Sequence, residues 1–133
     1  PMAKNAIRFH IRTLLLATTV VAVAVAAAAG AVRYAHRKVC ENHARSCLVT
    51  VENVADRAIQ DLRAKQPFGV AIDSAEYILY YYPVGSVLSA DHPFASEYEA
   101  GRRHQIDRIR NALREAAGDD QPTIWKRWKA VIE

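Results

Sequence analysis

A chain of 133 residues is long enough for one small domain and too short for two domains behind a membrane segment. Three cations near the start, Lys4, Arg8 and Arg12, supply most of its formal net charge of +4, so the remainder is nearly neutral and nucleic-acid binding is not indicated. Motifs for phosphate binding, dinucleotide binding, zinc proteolysis and serine hydrolysis are absent from the sequence, and we predict no catalytic residue, no cofactor and no metal site.

The most distinctive segment runs from Thr13 to Val32, twenty residues without a charge. A helix of this length covers ~30 Å, which is the hydrocarbon thickness of a bilayer. Eight of the twenty residues are alanine, so the insertion free energy is modest, about a few kcal/mol. We predict a mostly α protein: a basic tail at 1–12, a transmembrane helix at 13–32, and a small domain of three to four helices at 33–133.

A cleaved signal peptide is the alternative for this segment. The cations before Thr13 form a basic n-region, Leu14–Val25 forms an apolar h-region, and Ala29–Ala31 has the small-x-small form of a cleavage site. Cleavage would leave a secreted soluble protein that starts near Val32.

Cations flank the apolar segment on both sides, so the positive-inside rule does not choose an orientation. Because long domains cross largely regardless of charge, we expect a single-pass protein of the cell membrane with its domain outside the cytoplasm. Ala22, Ala26 and Gly30 fall at four-residue spacing, which lets two membrane helices approach closely and suggests a homo-oligomer. The alternative is an alanine-rich helix in which this spacing arises by chance.

After the apolar segment, residues 33–65 are predicted to be helical, with Pro67 and Gly69 ending the element. The β-prone run Cys47–Val51 leaves a strand open at that point. The expected inner face recurs at threes and fours and comprises Val32, His36, Cys40, His43, Cys47, Thr50, Val54, Ala58 and Leu62.

His36, Cys40, His43 and Cys47 lie on one face of this predicted helix and are all residue types that bind soft metals. One straight helix cannot wrap four such ligands around an ion, so we interpret them as a structural stripe. An exported protein could pair Cys40 and Cys47 in a disulfide. On one helix, however, two cysteines seven residues apart are about 10 Å apart along the axis, too far for a disulfide, so the pairing depends on the local structure.

Residues 70–82 are predicted to form a short helix capped by Asp73 or Ser74, although the run Tyr77–Tyr82 is also typical of a strand. The rings of Tyr80, Tyr81 and Tyr82 are expected to divide between the core and its rim. A surface on which a ligand stacks is the alternative.

The next predicted helix has Asp91 as its N-cap, ends near Ala117 and has Gly118 just beyond its end. Its expected buried stripe is Phe94, Tyr98, Gly101, Ile106, Ile109, Leu113 and Ala116. The remaining surface is expected to hold Arg102, Arg103, Arg108, Arg110 and Arg114, with Glu99, Asp107 and Glu115 at salt-bridging spacings.

A last helix is predicted over Thr123–Ile132, after a loop at 119–122. Trp125, Trp128 and Ile132 share one edge of it and are expected to dock on the core. The alternative is contact with a membrane interface, helped by the neighbouring cations.

Two regions resemble uncharacterised small bacterial proteins that have one N-terminal membrane span. The first is R-F-x-I-R-T-L-L at 8–15. The second is Y-Y-P-x-G-S at 81–86, followed by an arginine-rich helix, by A-G-x-D at 117–120 and by W-x-x-W at 125–128. The resemblance implies membrane anchoring and no particular chemistry.

These observations predict a membrane-anchored envelope protein that binds or scaffolds an unknown protein partner and has no catalytic activity. Its other predicted partner is the lipid bilayer, through residues 13–32. Secretion after signal cleavage is the first alternative. A small hydrolase is the second, and it would need His92 or His104 within hydrogen-bond reach of a nucleophile.

Overall fold

The computed structural model of this protein describes residues 2–133, with side chains described from residue 10 onward. The described residues form four α-helices and no strand. They are α1 (Met2–Arg63), α2 (Phe68–Tyr81), α3 (Ala95–Ala117) and α4 (Pro122–Ile132). The prediction of a mostly helical chain that begins with one long apolar helix is confirmed, and the run Cys47–Val51 is helical.

The chain divides into two compact units, Pro1–Val39 and Cys40–Glu133. The first unit consists of the N-terminal part of α1. The second comprises the C-terminal part of α1 with α2, α3 and α4, and we call it the helical domain. Its core lies where α2 contacts both α3 and α4. The boundary expected at residue 33 stays a prediction.

One face of α2 is buried through Ala71, Ile72, Ala75 and Ile78, which are each at most 1% exposed. The two alanines let neighbouring helices approach closely, while the two isoleucines supply most of the apolar area. Ile109, Leu113 and Trp128 are buried in the same cluster. A second, smaller cluster contains Ala44, Leu88 and Tyr98.

The inner face of α1 matches the predicted stripe at Ala58 and Leu62 and differs from it earlier in the helix. Within the helical domain, α1 buries Ala44, Val51, Ala55, Ala58 and Leu62. Thr50 is exposed, and Cys47 and Val54 are only partly buried. The prediction counted polar and β-branched residues as core, whereas small alanines occupy most of the contact positions.

The connection between α1 and α2 has the predicted length of four residues but lies two residues earlier, at 64–67 instead of 66–69. Helix α1 ends at Arg63, and Pro67 immediately precedes α2, so Gly69 lies inside the first turn of α2 and ends no helix. Asp73 and Ser74 are consequently too far along α2 to cap it. The Ser74 hydroxyl instead donates to the carbonyl of Val70, one turn earlier, at 2.9 Å.

The predicted N-cap at Asp91 is wrong, because α3 begins only at Ala95, after Phe94. The His92 ring nitrogen Nδ1 accepts the Phe94 N–H at 3.2 Å, and the Ala95 N–H donates to the carbonyl of His92 at 2.9 Å. Pro93 disfavours helical dihedrals in the residue before it, so a turn precedes the helix at this point.

The end of α3 is as predicted. Gly118 has φ +76°, and its N–H donates to the carbonyl of Arg114 at 2.9 Å, as expected of a glycine that ends a helix. Helix α4 then docks on the core through Trp128, which is 2% exposed, while the indole of Trp125 donates to the carbonyl of Gly118 at 3.0 Å. The docking prediction for these tryptophans is confirmed.

The buried stripe of α3 was predicted correctly at Tyr98, Ile106, Ile109 and Leu113, whereas Ala116 is exposed. Arg102 was predicted at the surface, and that is wrong: it is 7% exposed.

The other arginines of α3 pair mainly with carboxylates beyond their own helix. Arg108 contacts Asp56 at 2.8 Å, Arg110 contacts Glu133 at 3.1 Å, and Arg114 contacts Asp119 at 2.9 Å. Arg103 contacts Glu99 of α3 at 2.8 Å. Most of the expected arginine surface is therefore neutralised.

Arg102 and Tyr98 of α3 hold the C-terminal end of α2. The Arg102 guanidinium donates to the carbonyl of Leu79 at 3.2 Å, and the Tyr98 hydroxyl donates to the carbonyl of Tyr82 at 2.8 Å. Both carboxylate oxygens of Glu99 accept from Arg102, at 2.8 and 2.9 Å. This paired geometry lowers the pKa of Glu99, mainly through the Arg102 hydrogen bonds. Burial raises the pKa of Tyr98 to about 12.

We expect Glu99→Gln to destabilise the protein at neutral pH by about 1 kcal/mol, because partial solvent exposure weakens the lost ion pair. The pKa of Glu99 in the folded protein lies below its ordinary value of 4.5. The stabilisation that the Glu99 carboxylate contributes through Arg102 is therefore complete above pH 4.5. It disappears as the pH falls through the folded pKa. Urea unfolding of the full chain in micelles between pH 7 and pH 3 measures this change. Asp107→Asn, at an exposed carboxylate of α3, is the control, and an equal pH dependence in both variants would contradict the prediction.

Candidate functional site

The apolar side chains of Thr13–Val32 are exposed in the structure. Leu14, Leu16 and Val20 are 66%, 67% and 65% exposed. By length and composition, α1 is the one helix among the described residues that is apolar enough to cross a membrane, and a signal sequence near the N-terminus has the same properties. An exposed apolar surface of this size needs a nonaqueous environment or a partner.

The hydroxyls of this segment are satisfied within the helix. Thr18 donates to the carbonyls of Leu14 and Leu15 at 3.0 and 2.9 Å, and Thr19 donates to the carbonyl of Leu15 at 2.8 Å. A bilayer offers no water to a buried hydroxyl, so these internal bonds lower the cost of placing threonines there.

The small residues Ala22, Ala26 and Gly30 are exposed. A Cβ added at Gly30 would meet nothing within 4 Å. Self-association through these positions stays a prediction.

The outer face of α2 carries the exposed aromatic residues of the helical domain. Tyr77, Tyr80 and Tyr81 are 43%, 63% and 67% exposed, and Val70 is 38% exposed. We call these four residues, with Asp73 and Glu76, the tyrosine face. The sequence prediction divided Tyr80, Tyr81 and Tyr82 between core and rim, and the structure places only Tyr82 partly in the core.

Two rings of the tyrosine face contact each other, and one of them also meets the neighbouring Tyr82. Those of Tyr77 and Tyr81 stack with centroids 4.7 Å apart, and Tyr82 meets Tyr77 edge-on at 5.7 Å. A hydrogen bond with Tyr77, followed by burial, raises the pKa of Tyr82. Asp73 is held by Arg127 of α4. The face is therefore a supported aromatic surface with a carboxylate at its edge.

His43 and Cys47 bring a base and a nucleophile together on α1, with Nε2 and Sγ 3.9 Å apart. His43 also lies 3.4 Å from the carbonyl of Val87, and its ring centroid is 6.3 Å from that of His92. Burial raises the pKa of the Cys47 thiol, which disfavours the reactive thiolate. The sequence offered no signal that His43 and His92 would meet.

The other predicted site residues are dispersed. His104 is exposed on α3, and His92 Nδ1 is engaged by the Phe94 N–H. Cys40 and Cys47 are not joined in a disulfide. Among the described residues, no three histidine, cysteine or carboxylate side chains are grouped to hold a metal ion.

Comparison with protein-family models, with curated proteins and with solved structures finds no match for this chain. The resemblance to small bacterial membrane-anchored proteins therefore stays a prediction.

We expect Cys47 to react slowly with iodoacetamide, because a raised pKa leaves less thiolate and partial burial limits access. In the Cys40→Ser variant at pH 8, alkylation of Cys47 should be at least about three-fold slower than that of a cysteine placed at exposed Ser86 in a chain without native cysteines. Mass spectrometry against time gives both rates. A faster reaction at Cys47 would point to activation by His43.

Proposed function

We propose that this protein is a single-pass membrane protein of the cell envelope whose helical domain binds a protein partner and has no catalytic activity. The anchor is supported by the exposed, uncharged stretch Thr13–Val32, whose threonine hydroxyls are bonded internally. Tyr34, two residues beyond this stretch, is 66% exposed, as expected for an aromatic residue at a membrane interface.

The tyrosine face supports the binding role. Exposed tyrosines combine a large apolar area with little conformational entropy, and they are enriched where proteins meet. The core holds α2 firmly through its opposite side, so these rings are presented on a rigid support. This exposed aromatic surface is the observation that carries the proposed function.

The same face indicates a basic partner. Glu76 lies beside the rings of Tyr77, Tyr80 and Tyr81, and Asp73, also beside them, is already paired with Arg127. Lysine and arginine side chains pair with carboxylates and are attracted to the faces of aromatic rings. A partner that presents basic side chains therefore complements this surface in charge.

Secretion after cleavage near Val32 is the second candidate, favoured by the small residues Ala29–Ala31 and the basic residues before Thr13. It leaves the helical domain and its tyrosine face intact. The two candidates differ in whether the mature chain retains its apolar segment.

We expect the chain to stay in the membrane pellet after alkaline carbonate extraction. Val21→Arg with Val23→Arg should release it, because each arginine near the centre of a span costs about 2.5 to 3.5 kcal/mol, and the pair exceeds the modest favourable insertion energy. Tyr34→Arg, outside the span, is the matched control and should remain in the pellet. Wild-type chain in the wash, or a mature N-terminus near Val32, would favour the secreted form.

We expect a photo-reactive phenylalanine at Tyr81 to cross-link a partner in intact membranes, and the same group at exposed His104 to yield no such adduct. Glu76→Lys should lower the yield at Tyr81 by about ten-fold, since like charges then face each other across the contact. Gel shift and mass spectrometry of the adduct measure both effects. Equal adducts from both positions, or a yield unchanged by Glu76→Lys, would contradict the basic-partner assignment.

A further inference from the structure

The helical domain contains a second surface feature, an open groove formed by the C-terminal end of α1, the start of α2 and the second half of α3. It encloses about 670 Å³, a volume typical of small-molecule sites. Its apolar lining consists mainly of Ile59, Leu62, Phe68, Ala112 and Ala116. Such a lining suits an alkyl chain better than a polar molecule.

Two cations, Arg63 and Lys65, stand at the rim of this groove. Both are exposed, and neither takes part in an ion pair among the side chains of residues 10–133. Glu115 is the one carboxylate on the lining. The rim therefore carries a net positive charge, unlike most of the arginine-rich surface of α3, where carboxylates neutralise the cations.

Lys65 occupies a backbone position that favours glycine. Its φ is +58°. The N–H of Gln66 donates to the carbonyl of Asp61 at 2.9 Å, and the N–H of Lys65 donates to that of Leu62 at 3.0 Å. This is the Schellman pattern, in which the left-handed residue is usually glycine. A lysine here holds a cation at the rim despite an unfavourable backbone conformation.

The start of α2 adds to the positive potential. Pro67 precedes the helix, and no side chain caps its first turn. The Val70 N–H donates to the carbonyl of Pro67 at 3.0 Å. The amides before it and the helix dipole place a partial positive charge at this end of α2, which offsets the partial negative charge at the C-terminal ends of α1 and α3. Phe68, in that turn, is also part of the apolar lining, so the positive and apolar parts of the groove adjoin.

We propose that this groove binds a single-chain fatty carboxylate, with its alkyl chain on the apolar lining and its carboxylate at Arg63 and Lys65. The apolar volume selects a chain, and the unpaired cations beside the uncapped helix select an anionic head group. This site is separate from the tyrosine face and does not depend on it.

The test uses the full chain in nanodiscs of phosphatidylcholine, because detergent micelles would compete for the groove. The probe is a palmitic acid analogue that carries a diazirine, and mass spectrometry locates the photo-adduct after irradiation. We expect adducts on peptides that contain Leu62, Phe68 or Ala116. Excess palmitate should suppress them, whereas hexadecyltrimethylammonium, a cation of similar chain length, should not.

Two variants separate the chain site from the head-group site. Ala116→Trp fills the groove from an exposed position and should lower labelling more than ten-fold. Lys65→Gly should lower labelling about three- to five-fold, in keeping with the loss of one exposed ionic contact, while the urea midpoint stays the same or rises because glycine suits the left-handed backbone. Lys129→Ala, which removes an exposed cation of α4, is the control and should leave labelling unchanged.

The Lys65→Gly variant keeps the proposal falsifiable even if Ala116→Trp does not fold. Labelling confined to Thr13–Val32 would show that the probe entered only the bilayer and would overturn the proposal. Equal competition by the cationic amphiphile, or labelling unchanged in Lys65→Gly, would overturn it as well.

Discussion

The contact on which the helical domain depends most is the one between α3 and the C-terminal end of α2. Helix α2 has no basic residue in its own last turn, and the last carbonyls of a helix need donors from elsewhere. Tyr98 and Arg102 of α3 supply them, to the carbonyls of Tyr82 and Leu79, and Glu99 fixes the orientation of Arg102. A cation at this end also complements the helix dipole. The aromatic run at the end of α2 is thereby held in a defined position.

Sequence reasoning succeeded where a single residue type decides the conformation. Gly118 ends α3 because a left-handed residue is needed there, and an uncharged segment as long as Thr13–Val32 forms one helix. It failed where a residue has several possible partners. Asp91 is a suitable N-cap by type, but the ring of His92 takes the available N–H. The sequence predicted Arg102 to be solvated. Its guanidinium donates to a carbonyl 23 residues earlier in the chain, and a hydrogen bond over that separation leaves no pattern in the local sequence.

The two proposed binding surfaces differ in how far the sequence predicts them. The tyrosine face lies on one helix, so the spacing of Tyr77, Tyr80 and Tyr81 in the sequence limits which of these rings can share a face. Which rings are exposed depends on the side of α2 that is buried, and this follows from contacts with α3 and α4. The groove combines Leu62, Phe68 and Ala116 from three helices, and no spacing in the sequence relates those positions before the packing is known.

The distribution of side-chain sizes relates the fold to the proposed function. Small alanines occupy many buried positions on α1 and α2, including Ala55, Ala58 and Ala75. Each contributes little apolar area, so large side chains would stabilise the core more if they faced inward. Tyr80 and Tyr81 nevertheless lie outside it, on a helix whose inner face is closed by isoleucine and alanine. Stability of the isolated domain does not account for these exposed rings, and the partner contact that we propose for the outer face of α2 would account for them.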